Sequence, residues 1–217
     1  MPPYEHVAFA WKLHVHPAVP IPGVRGIAGQ VQLDNVLGRL DGIVHTAAFL
    51  GSLGPVEHQD PDAWRTAFDV NVMAALALTR AAMPLLAAAP DASVVFTLDS
   101  RGIDPRAFWG AYASSKAALA AFASTLADEW ETRANLRINA VVPGPVRSPM
   151  RARTHPGEDV NSLPSVESLV PLYLHLLGEQ GKADSGALID ARAWLAGHAA
   201  SRPLVSSSSA SSTTGLP

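Results

Sequence analysis

In the stretch WGAYASSKAAL, residues 109–119, Tyr112 and Lys116 stand four positions apart. On an α-helix that spacing puts both side chains on one face. An ammonium beside a phenol favours the phenolate and lowers the tyrosine pKa. A tyrosine tuned in this way serves as a general acid or base towards a hydroxyl or carbonyl oxygen. Two residues of an ordinary helix share a face just as easily, so the pair needs context. Other chemistry-bearing groups are sparser. Arg147, Arg151 and Arg153 cluster after a Pro-Gly turn; they could hold an anionic substrate or be solvated loop charges. His14 and His16 alternate along one segment, but no third metal ligand accompanies them. The chain has no cysteine, which excludes disulfides, thiol catalysis and cysteine-held zinc within it.

The elements that must carry these residues alternate. LDGIVHTAA (40–48) is a short apolar run ending in small residues, as a buried strand does. A helix opens at Asp60 as N-cap with Pro61 in its first turn, and its pattern continues to about Ala89. SVVFTLDS (93–100) reads as a second buried strand. Helical spacing then runs from Ala111 to about Arg133, followed by a strand at RINAVVPG (137–144), a helix around 165–178 and a strand at SGALIDA (185–191). Such alternation predicts an α/β fold, a Rossmann-like parallel sheet with helices on both faces. The first 34 residues depart from it. HVAFAWKLHVH (6–16) has a period of two, as a half-buried strand has, and PAVPIPGVRGIAG reads as loop. From Ser201 the chain is serine-rich and is expected to be disordered.

Four ordered motifs give the tyrosine its context. Tyr112 and Lys116 form Tyr-x-x-x-Lys. FDVNV places Asn71 forty-one residues before Tyr112. RINAVVPGPVRS supplies Arg137, Asn139, Pro143 and Gly144, with Ser148 four residues on. VHTAA supplies Thr46, Ala47 and Ala48 after the first buried strand. From about Leu40 to Trp194 these residues resemble the short-chain dehydrogenase/reductase superfamily, and within it a bacterial subgroup similar to ketoacyl-carrier-protein reductases. The resemblance implies nicotinamide-dependent reduction of a carbonyl or oxidation of a hydroxyl, with NAD or NADP as cofactor. It implies that Tyr112 transfers the proton, that Lys116 lowers the tyrosine pKa and holds the nicotinamide ribose, and that Asn71 supports a water relay behind the lysine. It assigns Thr46, Ala47, Ala48, Pro143, Gly144 and Ser148 to cofactor contact.

Two departures follow from the same comparison. The family serine that holds the substrate oxygen falls at position 99, which is aspartate, with Ser100 one place late. An ionised carboxylate accepts hydrogen bonds and donates none. Beside a phenolate, at about 4 Å and intermediate dielectric, it costs about 4 kcal/mol. Asp99 is therefore protonated, or points away, or impairs carbonyl chemistry; alternatively it caps a turn with Ser100 and Arg101. The glycine-rich phosphate turn is the second departure, since GVRGIAGQ (23–30) has glycines at the wrong intervals. The expected domain is thus N-terminally truncated, with the strand at 40–48 as an apolar edge unless the alternating strand at 6–16 covers it.

The expected division is an atypical segment 1–34, the Rossmann-like domain 35–195 and a serine-rich tail 196–217. A net charge of −3 gives no general attraction to nucleic acid or anionic membrane. No uninterrupted apolar run reaches membrane-span length, and no secretion signal opens the chain, so a cytoplasmic protein is expected. Expected partners are a small-molecule or carrier-linked carbonyl substrate and a second copy of the chain, as homo-dimer or tetramer through the alanine-rich helices 71–89 and 113–132. The competing reading is a non-catalytic relative or a truncated product that acts, if at all, as an oligomerisation partner.

Overall fold

The computed structural model describes residues 7–9, 20–21, 24–25 and 39–199. Five parallel strands form one sheet in the order β1 (Val7–Phe9), β4 (Gly42–His45), β5 (Ala92–Thr97), β6 (Leu136–Val142), β7 (Leu188–Asp190). Register is continuous across the centre: Ile43 lies opposite Val94, and Val94 opposite Ile138. Alternate residues face opposite ways, and both faces are apolar. Ile43, Val94, Phe96 and Ile138 meet Leu86, Leu119 and Trp130 on one side. Val44, Val95 and Val141 meet Leu172, Leu176 and Ala191 on the other. Burial on both faces is the reason these strands read as unbroken apolar runs.

The helices on the first side are α2 (Ala74–Ala88) and α4 (Gly110–Glu129), with α1 (Pro61–Phe68) leading into α2 through a single π-helical turn, Asp69–Met73. Asp60 caps α1 by accepting from the Asp62 amide, and Pro61 sits at its start. The stretch Pro61–Ala88 is long and apolar enough to cross a membrane by length and composition. Uninterrupted apolar runs do not reveal this, because polar residues break the pattern. Here Leu78, Ala82, Leu85 and Leu86 pack on the sheet. The opposite face carries α6 (Val170–Leu177) and α7 (Ala191–Ala199).

The N-terminal expectations need correction. β4 is not an edge, because β1 pairs with it in parallel, Val7 opposite Gly42 and Phe9 opposite Val44. The rest of the expected strand 6–16, with His14 and His16, lies outside the described residues. Inside the stretch read as loop, β2 (Pro20–Ile21) pairs antiparallel with β3 (Val24–Arg25), a two-residue ladder too short for periodicity to reveal. Most of GVRGIAGQ and the serine-rich tail from Ser201 also lie outside the described residues.

One buried histidine makes the fold sensitive to acid. His45 is 5% exposed, its ring stacks on Phe96 with centroids 4.7 Å apart, and its Nε2 meets Thr79 Oγ1 at 2.9 Å. Burial pulls its pKa from 6.5 down to about 4. The unfolded chain therefore binds this proton more readily than the folded one. Stability is complete above pH 6.5 and falls as the pH drops towards 4, by about 3 kcal/mol at the full shift. Urea midpoints at neutral and acid pH are expected to converge in His45→Gln relative to the wild type.

Candidate active site

The site lies beyond the carboxyl ends of β5 and β6. Strand β5 ends at Thr97, and Asp99 then caps the short helix α3 (Ser100–Ile103), accepting from the Arg101 amide at 2.8 Å through Oδ1. Helix α4 brings Tyr112, Ser115 and Lys116 to one face, all buried. Helix α3 packs closely on α4 at Gly102, where a Cβ would lie 2.7 Å from the backbone carbon of Lys116. We expect Gly102→Ala to cost about 1–3 kcal/mol by over-packing and to push the Asp99 turn off Tyr112. Urea unfolding reads the first effect and the pH titration of Tyr112 the second. Before α4, Phe108 holds φ +75°, and its carbonyl accepts from the Gly54 amide at 3.0 Å. A non-glycine residue in that region marks local strain.

The Tyr112 hydroxyl donates to Asp99 Oδ2 at 3.1 Å. Asp99 thus caps a turn and also faces the tyrosine. Ser100 is exposed, its hydroxyl 3.5 Å from Asp99 Oδ1; it makes no bond to Tyr112 among the described residues. The lysine was expected to lower the tyrosine pKa, and the surroundings reverse this. Burial first, then the Asp99 charge and hydrogen bond, push the Tyr112 pKa up. Lys116 Nζ lies 6.0 Å from the Tyr112 ring and donates to the Thr97 carbonyl at 2.9 Å. Burial lowers its pKa to about 8, against the pull of Asp99.

Asn71 lies on the π-helical turn, 1% exposed. Its Nδ2 donates to Ser115 Oγ at 2.8 Å and to the Phe49 carbonyl at 3.0 Å, and its Oδ1 accepts from the Phe49 amide at 2.6 Å. Ser115 Oγ in turn donates to the Tyr112 carbonyl at 2.8 Å. Asn71 therefore ties the loop after β4 to the backbone under Tyr112 and makes no direct bond to Lys116. π-Turns inside helices occur often at functional sites. Thr46, Ala47 and Ala48 are exposed on that loop. Pro143 and Gly144 end β6 half-buried, with Gly144 at φ +73° and a Cβ there meeting Arg192 at 2.8 Å.

The family model for short chain dehydrogenase matches residues 28–159, more than half of the chain. The chain belongs to the short-chain dehydrogenase family. It is 42% identical over 154 residues to the uncharacterized oxidoreductase YciK of Escherichia coli K12, covering 71% of this chain and 60% of that one. It is 33% identical over 119 residues to the benzil reductase IRC24 of Saccharomyces cerevisiae, covering 52% and 45%. Among solved structures, a short chain dehydrogenase from Salmonella enterica serovar Typhi matches with TM-score 0.72 and 41% identity over 75% of this chain and 67% of that one. One from Escherichia coli CFT073 complexed with NADPH matches with TM-score 0.72 and 40% identity over the same shares. The chain spans less than two thirds of the length of the curated relatives named here.

In this member of the family, several signature residues hold the fold. Arg137, 5% exposed, pairs with Asp91. Asn139 donates to the Asp184 carbonyl at 2.8 Å and accepts from the Ala187 amide at 3.1 Å, fixing the approach to β7. Ser148 caps helix α5 (Pro149–Thr154), accepting from the Arg151 amide at 3.1 Å. Arg151 is engaged by Glu158 through two bonds of 2.5 and 2.6 Å, and Arg153 reaches the Gly51 carbonyl at 3.5 Å. Arg147 donates to the Leu163 carbonyl at 3.4 Å, so all three arginines are engaged within the chain. Sequence reasoning missed Ser115, three residues after Tyr112, which stands inside the quoted stretch and is distinguished from its neighbours only by its contacts. Trp109, three residues before Tyr112, has its ring 5.9 Å from the Tyr112 ring.

The nicotinamide end of a dinucleotide fits the described residues. The Lys116 ammonium is 2% exposed and carries three N–H donors, yet makes one hydrogen bond among the described residues. A buried ammonium with donors to spare suits a ribose hydroxyl beside it.

Proposed function

We propose that the chain is a nicotinamide-dependent oxidoreductase of the short-chain dehydrogenase type, acting at a carbonyl or hydroxyl carbon of a small or carrier-linked substrate. The observation that carries this reading is the buried Lys116, under-supplied with acceptors, on the same helix face as Tyr112. The cofactor, when bound, supplies or accepts hydride. Lys116 and Ser148 would hold its nicotinamide-ribose end, and Thr46, Ala47, Ala48, Pro143 and Gly144 line the approach. Relatives solved with NADP and with NADPH favour the phosphorylated cofactor. Tyr112 exchanges the proton with the reacting oxygen, and Asn71 with Ser115 fixes the backbone that carries it.

The proposal includes the division into 1–34, 35–195 and 196–217, a cytoplasmic location and two-fold assembly through helices 71–89 and 113–132. The exposed small residues Ser114, Ala117 and Ala121 on α4 support the last point. Light scattering tests it. A second reading, a non-catalytic relative, is favoured by one observation: the Tyr112 proton is directed at Asp99.

Titration of NADPH and NADH into the purified chain, followed by tryptophan emission, tests the function. Saturable binding in the micromolar range is expected. No binding up to millimolar cofactor would leave the non-catalytic reading.

A further inference from the structure

Asp99 stands where a substrate heteroatom would be held. Both carboxylate oxygens act as acceptors, Oδ1 from the Arg101 amide and Oδ2 from the Tyr112 hydroxyl. Among the described residues it forms no ion pair. The neighbouring cations are otherwise engaged. Lys116 donates to the Thr97 carbonyl, Arg151 is clamped by Glu158, and the Arg101 guanidinium lies over the Trp109 ring at 5.1 Å. A half-buried carboxylate with no direct ion-pair partner among the described residues is the unusual feature of this site.

Its chemistry selects. Reduction of a ketone builds negative charge on oxygen, which a carboxylate opposes and cannot hydrogen-bond. The Tyr112 proton, already given to Asp99, is also diverted from that oxygen. A nitrogen bearing both N–H and positive charge has the opposite relation. It donates to Asp99 and forms the direct ion pair that the nearby cations do not make.

We propose that Asp99 sets the substrate class as a protonated imine, so that the bond reduced is carbon–nitrogen. This rests on the oxidoreductase reading above, with reduced nicotinamide as the hydride donor. Hydride adds to the imine carbon, the C=N π pair becomes the nitrogen lone pair, and the nicotinamide is oxidised. The cation becomes a neutral amine, and no proton is consumed in that step. The Tyr112 hydroxyl donates to the carboxylate that holds the substrate nitrogen.

The test uses the full chain with matched cyclic probes. In calorimetry without cofactor, the wild type is expected to bind cyclopentylammonium roughly tenfold or more tightly than cyclopentanol. Asp99→Ser is expected to lose that preference. Serine is itself a good N-cap, so α3 is kept, and urea unfolding checks this. With NADPH, the wild type is expected to reduce pyrroline in preference to cyclopentanone, and Asp99→Ser to reverse the order. Failure to bind cyclopentylammonium, equal binding of both cyclopentyl probes, or a preference unchanged in Asp99→Ser, overturns the proposal. Wild-type reduction of cyclopentanone in preference to pyrroline overturns it too, while the oxidoreductase reading survives. An Asp99-dependent preference for the cation with no oxidation of NADPH by either probe sinks the oxidoreductase reading instead, and with it the imine reduction.

Discussion

Lys116→Met is expected to raise stability and weaken cofactor binding at the same time. Burial lowers the Lys116 pKa from 10.5 to about 8, so holding the ammonium inside the fold costs about 3 kcal/mol at neutral pH. Methionine keeps the length and fills the space without charge. The lost bond to the Thr97 carbonyl returns about 1 kcal/mol of that. A net gain of about 2 kcal/mol is expected in urea unfolding. The affinity for NADPH moves the other way, by roughly tenfold to a hundredfold, the usual worth of a hydrogen bond from a charged donor. The stability gain also depends on pH with a definite sign. The folded-state pKa lies below the unfolded one, so wild-type stability rises between about pH 8 and pH 10.5, where the folded chain has released this proton and the unfolded chain still holds it. Lys116→Met loses that rise. A variant that binds NADPH as tightly as the wild type would remove Lys116 from the cofactor site.

Asp91→Ala is expected to destabilise the fold by about 3 kcal/mol, at the lower end for a buried pair because Asp91 itself is 29% exposed. Its partner Arg137 starts β6, 5% exposed. Arg137 donates to Asp91 Oδ1 and, at 3.4 Å, to the Gly178 carbonyl, and its buried Nε has no partner among the described residues. Without Asp91 the guanidinium stays buried with one long hydrogen bond. The double variant Asp91→Ala with Arg137→Met removes both charges and is expected to recover most of the loss. Urea midpoints of the two single variants and the double variant form the cycle that checks this. A double variant as unstable as Asp91→Ala would show that Arg137 matters through packing and not through its charge.

Elements buried on both faces were legible in the sequence. Val94, Val95 and Phe96 lie in an unbroken run because each side of β5 meets a core. Asp60 and Pro61 announced the start of α1 because cap chemistry is local. The family spacing put Asp99 at the position of the substrate-holding serine and left open whether it faces Tyr112 or caps a turn; it does both. What stayed hidden depends on contacts between distant segments. Nothing local in DVNVM marks a π-turn, and Asn71 meets Phe49 and Ser115 across 22 and 44 residues. The β1–β4 pairing joins segments more than thirty residues apart, and the short β1 carries no signal of its partner. The rise in the Tyr112 pKa was hidden for the same reason. Helix spacing predicts the lysine's pull, whereas the larger contribution, burial, comes from the packed whole.

The strand order has a consequence for how the protein is made. From β4 to β7 each new strand is laid beside the one translated just before it, and β1 already lies at the other side of β4. The sheet can therefore grow in one direction as the chain leaves the ribosome, without waiting for a late strand to be inserted between earlier ones. Each strand pairs within one helical crossover of its predecessor, which keeps the loops to be closed short. The apolar edge left at each stage is covered by the next segment to emerge, which limits the time in which a nascent chain can pair with its neighbour on the same message.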